Sequence, residues 1–235
     1  MQINLAIAKI DKFGTSKSGD TVETIERPNG GLSVVLADGQ INQNNSKAIS
    51  TMVSHRIIDH IGNGIRDGAA IRGTSNTIFS EHDGHVTAKV IVLSVDLQTN
   101  TILISRNNRT PVFLIENGEI DCLSGESEPI GGQLGIIPSI VEIDIHPGLA
   151  IVVFSDGVYV AGSENYHKPD ICTTIEAFIE EQEPPAQEIA EFLLNQAIGL
   201  DNGRPKDDMC VLVLEVTAQT TDRIRRVNVS MTLDE

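Results

Sequence analysis

The order of the apolar segments is the feature that most constrains how this chain can fold. Short apolar runs typical of β-strands dominate the sequence, and helical periodicity appears only in two separate groups. Strict alternation of strand and helix is absent, so a doubly wound parallel sheet is not expected. The predicted strands are INLAIAK (3–9), GLSVVLA (31–37), HVTAKVIVLSVDL (85–97), TILISR (101–106), PVFLIE (111–116), SIVEIDI (139–145), LAIVVFS (149–155) and MCVLVLEV (209–216).

The helical segments form two pairs, and the strands between them are joined by short turns. Asn45 or Ser46 can cap the first helix, and Asn117-Gly118 is a strong hairpin signal. Short turns favour antiparallel pairing of neighbouring strands. The sequence therefore predicts an α+β fold of two mainly antiparallel sheets, each faced by a helix pair. The predicted helices cover 44–62, 67–81, 170–182 and 184–199.

The charge balance excludes several classes of partner. The chain has 33 acidic and 17 basic residues, a formal net charge of −16. Nucleic acids and anionic membranes both require a basic surface, so neither is an expected partner. No apolar run approaches the roughly 18 residues of a membrane span, and the N-terminal residues do not resemble a signal peptide. We therefore expect a cytoplasmic protein.

The cysteines and histidines give no metal signal of their own. Cys122, Cys172 and Cys210 are far apart and form no CxxC pair, so free thiols are predicted rather than a disulfide framework or zinc ribbon. His82 and His85 are three residues apart, but no two further zinc ligands are evident nearby. Both histidines are interpreted as loop residues.

Acidic residues stand at the ends of several predicted core strands. Asp38 and Asp156 each follow an apolar strand and precede a glycine. Asp207-Asp208 comes directly before MCVLVLEV, and Asp20 lies near the start of another strand or turn. A single Asp-Gly pair is typical of a simple turn. However, strand ends can converge on one edge of a two-sheet fold, and clustered carboxylates then call for a hard cation such as Mg²⁺, Mn²⁺ or Ca²⁺.

Four motifs in a fixed order carry a resemblance to a known family. They are SGD (18–20), VVLADG (34–39), IVVFSDG (151–157) and DDMCVLVL (207–214). This set resembles the metal-dependent protein phosphatases of the protein phosphatase 2C type, also called PPM phosphatases. The closer likeness is to the bacterial SpoIIE, RsbU and RsbX branch, and the segments 92–120 and 128–136 resemble it as well. The resemblance implies a four-layer αββα sandwich.

The resemblance also implies a domain organisation. It covers about residues 1–216, which we expect to form one PPM-type phosphatase domain. Residues 217–235 would be a C-terminal extension, in which RIRRVNVSMTL (223–233) could add one more strand. We expect no sensor domain ahead of the motifs, and in architecture the chain then resembles the stand-alone RsbX.

The matched positions imply roles for individual residues at a site with two Mn²⁺ or Mg²⁺ ions. Asp38 would bridge the two ions through its carboxylate, and Gly39 would offer its backbone carbonyl. Asp156 and Asp207 would bind the same ion. The turn after the first ligand, which is often Gly-rich in the family, here reads Gln40-Ile41-Asn42.

Other residues are candidates for supporting roles. Asp20 matches the N-terminal acid near the ions and is included among the catalytic and metal-binding candidates. Asp208 occupies a position expected to support the ligands. Arg106 and Arg109, in SRNNRTP, could grip a phosphate bidentately, although arginines on an acidic protein are often only surface residues.

The function that the resemblance implies is hydrolysis of phosphoserine or phosphothreonine in proteins. A metal-bound hydroxide would attack phosphorus directly, with no phosphoenzyme. The substrate would be a phosphorylated STAS-domain protein, of the anti-anti-sigma or stressosome type, in a partner-switching stress or sporulation pathway. Two alternatives remain open: a catalytically silent phosphatase-fold protein that binds a partner, and a phosphomonoesterase for small molecules.

Overall fold

The computed structural model confirms the predicted fold class. It describes residues 1–40, 46–116, 118–125, 127–163, 170–182, 184–218 and 224–231. Within them, ten strands form two five-stranded sheets, and the strands of every pair run antiparallel. The first sheet contains β1 (Gln2–Ile10), β6 (Val112–Glu116), β7 (Glu119–Leu123), β9 (Leu149–Phe154) and β10 (Met209–Thr217). The second contains β2 (Asp20–Glu26), β3 (Leu32–Gln40), β4 (Thr87–Asp96), β5 (Thr101–Asn107) and β8 (Ser139–Asp144).

The strand order places the strands that carry the acidic motifs next to one another within each sheet. The first sheet has the order β1-β10-β9-β6-β7, and the second has the order β2-β3-β4-β5-β8. The strands that carry the acidic motifs are therefore neighbours: β9 beside β10 in one sheet, and β2 beside β3 in the other. Antiparallel pairing brings the end of one strand to the start of its neighbour, so these acids lie at a common end of the sandwich.

Helices cover the outer face of each sheet. The helix pair α1 and α2 packs on the second sheet, and the pair α4 and α5 packs on the first. A short helix, α3, follows β9 directly and was not predicted from the sequence. The helices are α1 (Ser46–Gly62), α2 (Asp67–His82), α3 (Asp156–Val160), α4 (Ile171–Gln182) and α5 (Ala186–Leu200).

Three apolar clusters separate four structural layers. One lies between the two sheets and contains Leu36, Leu93 and Leu212. A second lies between α1, α2 and the second sheet, and a third lies between α4, α5 and the first sheet. The strands β3, β4, β9 and β10 therefore carry apolar residues on both faces, which explains their uninterrupted apolar runs. The arrangement is the αββα sandwich that the resemblance implied.

The main differences from the sequence prediction concern short elements. The strand β7 follows Gly118 and completes the predicted hairpin. Over 224–231, the described part of the C-terminal extension, no strand forms, and Val227 and Val229 are almost fully exposed. The division into residues 1–216 and an extension at 217–235 stays a prediction. The cap candidate Asn45, the turn residue Asn117 and positions 41–42 lie outside the described residues.

Two further expectations can be compared with the structure. No helix among the described residues is both long and apolar enough to cross a membrane. The three cysteines are free, as predicted, but their exposure differs: Cys210 is buried in the core, whereas Cys122 on β7 is exposed.

Candidate metal centre

Asp38 and Lys89 continue two apolar rows of the second sheet to one end of the sandwich. On β3, Leu36 packs between the sheets, and the two-residue period of a strand places Asp38 next on that face. On β4, Ile91 packs between the sheets, and Lys89 follows on the same face. Asp38 and Lys89 are direct partners in the antiparallel register. The inter-sheet core therefore ends in a carboxylate and an ammonium that face each other.

Asp20 occupies the same end of the neighbouring strand. It begins β2 and lies opposite Asp38 in the register, with its side chain only 2% exposed. One of its carboxyl oxygens, Oδ2, is buried and has no hydrogen-bond partner. Its backbone carbonyl accepts hydrogen bonds from the Nζ atoms of Lys9 at 3.3 Å and Lys47 at 2.9 Å. Asp20 thus adds a buried carboxyl group beside Asp38, on the neighbouring strand.

Ser155 joins the end of β9 to the start of β10. Its backbone N–H donates to the carbonyl of Cys210 at 2.9 Å, and its Oγ accepts from the Cys210 N–H at 2.9 Å. The chain then turns into α3, whose first residue is Asp156. This pairing places Asp156 next to Asp207, and the charge of Asp156 contributes to the raised pKa of the Asp207 carboxyl.

Asp208 is tied to the backbone of another segment. Its Oδ1 accepts the Lys12 N–H at 2.9 Å, and its Oδ2 accepts the Gly19 N–H at 2.7 Å. Both bonds join the start of β10 to the connection between β1 and β2. Asp208 thus links these two segments structurally, and its supporting role beside the ligands stays a prediction.

The two glycines after the acids permit close backbone approach rather than sharp turns. A Cβ on Gly39 would lie 2.2 Å from the Ser46 carbonyl oxygen, and one on Gly157 would lie 2.1 Å from the Asp208 carbonyl oxygen. Neither distance is possible for a real side chain, and neither glycine has a positive φ. Gly39 lies inside β3 rather than in a turn, against the simple-turn interpretation.

These residues surround one open cavity of about 450 Å³. Of the predicted residues, Asp38, Gly39, Asp156 and Asp207 line it together with Asp208. Asp20 does not line it, although the charges of Asp38, Asp156 and Asp208 contribute to its raised pKa, whose main cause is burial. The walls are completed by residues that the sequence did not single out for this site. They are Gly19, Gln40, Ser46, His85 and Thr87.

The carboxyl groups have raised affinities for protons. Burial, together with the charges of neighbouring carboxylates, raises the pKa of Asp20 to about 8. Burial and the charge of Asp156 raise the pKa of Asp38 to about 7, although Lys89 acts in the opposite direction. Burial also raises the pKa of Asp207. A cluster of this kind favours either protons or a bound cation.

The ammonium group of Lys89 places a positive charge beside two of these acids. Its Nζ lies 3.3 Å from Asp38 Oδ2 and also contacts Asp156 Oδ2. Burial alone would lower the pKa of the Lys89 ammonium, but its hydrogen bond to Asp156 and the charges of both carboxylates outweigh that effect and raise it. Lys89 therefore stays protonated and links the acid at the end of β3 to the acid at the start of α3.

A family comparison agrees with this geometry. The family model described as stage II sporulation protein E (SpoIIE) matches residues 28–217. The chain belongs to the SpoIIE family. The stage II sporulation protein E of Priestia megaterium is 22% identical over 223 residues, which are 93% of this chain and 37% of that protein. The chain thus spans little more than a third of that relative's length.

Solved structures with the SpoIIE-type fold superpose well on the chain. The PP2C phosphatase domain of Bacillus subtilis SpoIIE, solved with a fragment of its regulatory domain, gives a TM-score of 0.76 at 20% identity, covering 92% of this chain and 64% of that one. RsbX in complex with magnesium gives a TM-score of 0.68 at 14% identity, covering 92% of this chain and 96% of that one. The fold is that of the PP2C-type serine/threonine phosphatases, as the sequence motifs indicated.

The donor set of this SpoIIE-family site fits a hard divalent ion. The acids at the cavity offer only oxygen atoms, and the buried Oδ2 of Asp20 has no partner. In the described residues, no three acidic, histidine or cysteine side chains stand close enough to enclose an ion as they are. Asp38 and Asp156 instead hold the Lys89 ammonium, which shows that the space between them accepts positive charge. Asp38, Asp156 and Asp207, with the Gly39 carbonyl, are the residues that could hold an ion.

The two candidate arginines lie away from this cavity. Arg106 is 3% exposed and donates to the Thr110 carbonyl at 2.9 Å, so it supports the loop after β5. Arg109 is exposed and pairs with Glu128 at 2.6 Å. Neither lines the cavity, and the structure does not bring them to the acids.

Lys89 and His85 are the main residues of the site that the sequence reasoning missed. A signal for Lys89 was present, because the two-residue period of β4 puts it on the inward face of an otherwise apolar strand. His85 precedes that strand and was interpreted as a loop residue, which is correct. No feature of the sequence alone indicated that its loop borders the acids.

Proposed function

We propose that this chain is a Mn²⁺- or Mg²⁺-dependent phosphatase of phosphoserine and phosphothreonine in proteins. The single observation that carries the proposal is the convergence of Asp38, Asp156 and Asp207 on one open cavity, at the end of a SpoIIE-type sandwich. Membership of a family with the PP2C phosphatase fold supports it further.

The chain's residues have distinct tasks in this proposal. Asp38, Asp156 and Asp207 would hold two divalent ions, and the Gly39 carbonyl would add a further oxygen ligand. When bound, such ions would neutralise the phosphate and make a water a strong nucleophile for direct attack on phosphorus. The rigid inter-sheet core fixes Asp38, and the Ser155 hydrogen bonds fix the start of α3. Thr87 and His85 line the same cavity, and each has a side-chain group that can donate a hydrogen bond to a phosphate oxygen.

The decisive experiment compares hydrolysis of para-nitrophenyl phosphate by wild type and Asp156→Asn with added Mn²⁺. Loss of a charged ligand should lower kcat/KM by about 100-fold or more. Asp144→Asn, which changes an exposed acid on β8, is the matched control and should behave as wild type. A wild type that binds Mn²⁺ but hydrolyses neither this ester nor a phosphopeptide would contradict the proposal.

The proposed substrate is a phosphorylated STAS-domain protein of a partner-switching stress or sporulation pathway. Support comes from the SpoIIE family match and from the fold shared with RsbX and with the RsbU domain of Rv1364c from Mycobacterium tuberculosis. A phosphoserine STAS-domain protein should be dephosphorylated with a much higher kcat/KM than a phosphopeptide of the same local sequence. Equal values would remove the STAS domain from the proposal. The cytoplasmic location expected from the sequence stays a prediction.

The two alternatives are separated by the same assays. A small-molecule phosphomonoesterase would favour free phosphate esters over phosphoproteins at equal concentration. A silent binding protein would hold a phosphoprotein without hydrolysing it, and calorimetric titration would detect no Mn²⁺ binding. The presence of Asp38, Asp156 and Asp207 at one cavity favours the enzyme.

A further inference from the structure

Lys89 has an unusual position for a lysine. It lies on β4, a strand whose residues are otherwise mostly buried, and it extends the inward-facing row of Ile91 and Leu93. The side chain is 22% exposed, so most of it is enclosed by the end of the sandwich. A lysine at a surface position would extend into water, whereas this one has its ammonium fixed among acids.

The contacts of the ammonium explain its fixed position. It reaches Asp38 Oδ2 at 3.3 Å and Asp156 Oδ2 still more closely. Asp38 lies at the end of β3 in the second sheet, and Asp156 follows β9 of the first sheet. Lys89 therefore joins the two sheets of the sandwich through two carboxylates that line the cavity.

A divalent ion and the ammonium compete for the same oxygens. An ion bound by both Asp38 and Asp156 would lie close to the positive charge of Lys89. Like charges a few ångströms apart repel strongly where water is partly excluded. The absence, among the described side chains, of three ligands close enough to enclose an ion fits this arrangement. Asp38 and Asp156 are instead both in contact with the Lys89 ammonium.

We propose that Lys89 is a positioning residue that acts as a built-in counter-cation: it pairs Asp38 with Asp156 in the ion-free protein, and a divalent ion must displace it to bind there. Lys89 then weakens ion binding while it stabilises the ion-free fold. The displaced ammonium keeps its proton and swings on its flexible stem toward the open cavity. The inference rests on the proposed ion site, but it does not require catalysis.

The direct test is calorimetric titration of Mn²⁺ into wild type and Lys89→Met. Removing the competing ammonium should tighten ion binding by roughly tenfold or more. Lys47→Met is the matched control, because Lys47 is also half-buried beside the acids, but within the described parts of the chain its Nζ donates to the Asp20 carbonyl and the Thr21 hydroxyl and to no carboxylate. The control should change the affinity by less than about threefold, as expected for a more distant charge.

Thermal unfolding in EDTA provides a second readout. Lys89→Met should melt at a lower temperature than wild type without ions, since two carboxylates lose their partner. Saturating Mn²⁺ should raise its melting temperature by more than it raises that of wild type. Equal or weaker Mn²⁺ binding by Lys89→Met would overturn the inference alone, whereas no Mn²⁺ binding by either protein would overturn the proposed ion site with it.

A measurement on the wild type covers the case in which Lys89→Met does not fold. Labelling of lysine amines, followed by mass spectrometry, reports whether each ammonium is paired or free. Adding Mn²⁺ should increase labelling of Lys89, because displacement frees its amine, and should leave Lys47 unchanged. Labelling of Lys89 that falls or stays constant with Mn²⁺ would contradict displacement.

Discussion

Asp20 on β2 lies directly opposite Asp38 on β3 in the antiparallel register of the second sheet. Two carboxylates opposite each other destabilise a strand pair when both are charged. Burial is the main cause of the raised pKa values, about 8 for Asp20 and about 7 for Asp38, and the charge of Asp38 raises the pKa of Asp20 further. The end of the sandwich is therefore a place where negative charge accumulates unless protons or cations neutralise it.

The first prediction is that the ion-free protein loses stability as the pH rises. The carboxyl groups of Asp20 and Asp38 bind protons more tightly in the folded protein than in the unfolded chain, where their pKa is near 4. The stabilisation from this protonation is complete below about pH 4 and is lost as the pH rises through 7 and 8. The slope is at most about 1.4 kcal/mol per pH unit for each excess proton. Urea unfolding in EDTA at pH 5, 6, 7 and 8 measures it.

Asp20→Asn provides the control for this prediction. The amide resembles the protonated acid and does not titrate, so the variant should have a shallower pH dependence and exceed wild type in stability at pH 8. Stability that rises with pH in wild type, in the presence of EDTA, would contradict the raised pKa values.

Much of the site could be predicted because the alternation of inward- and outward-facing residues continues along each strand from the apolar core to the strand's last residues. Val34 and Leu36 face the opposite sheet, so Asp38 must do so too; the same period carries β4 from Ile91 to Lys89. An apolar strand therefore already fixes which way its terminal residue points. Asp156 and Asp207 were predicted from the order of the acidic motifs along the chain.

Other parts of the site depend on contacts between segments distant in sequence. The need for glycine at Gly39 comes from the approach of α1, and at Gly157 from the backbone of Asp208. Neither approach leaves a mark in the local sequence, where Asp-Gly indicates a turn. Arg106 and Arg109 show the converse error: their local pattern suits phosphate, and β5 ends at the same end of the sheet as Asp38, but neither side chain lines the cavity.

The second prediction concerns the close packing at Gly157. Gly157→Ala would place its Cβ 2.1 Å from the Asp208 carbonyl oxygen, so α3 must move away from β10. We expect a loss of about 1–3 kcal/mol and weaker Mn²⁺ binding, because Asp156 moves with α3. Gly199→Ala, in α5, meets no atom within 4 Å and should be neutral or slightly stabilising. Chemical unfolding and calorimetry compare the two; equal stability would show that α3 adjusts freely.

The third prediction separates the two neighbouring acids before β10. Asp208→Asn should destabilise the ion-free protein by about 1–3 kcal/mol, because the amide cannot accept from both Lys12 N–H and Gly19 N–H. Asp207→Asn changes a carboxyl of a residue that is more exposed than Asp208, and the amide oxygen can still accept the Asp208 N–H, so this variant should keep the stability of wild type. Mn²⁺ titration should reverse the order, with the larger loss of affinity in Asp207→Asn. The same loss of affinity in both variants would contradict the assignment of Asp207 as an ion ligand and Asp208 as a structural residue.

The last prediction is that ion binding releases protons. At pH 7, the raised pKa values leave Asp20 mostly protonated and Asp38 about half protonated in the ion-free protein. A divalent ion favours the charged carboxylates, whether as a ligand or as a nearby charge, so binding should release roughly one to two protons. Calorimetry in two buffers with different ionisation enthalpies measures that number directly. Raising the pH to 9 should reduce the release toward zero and tighten binding, because both groups are then already ionised. Asp20→Asn should release about one proton fewer at pH 7, and an unchanged number would mean that Asp20 is not the group that titrates.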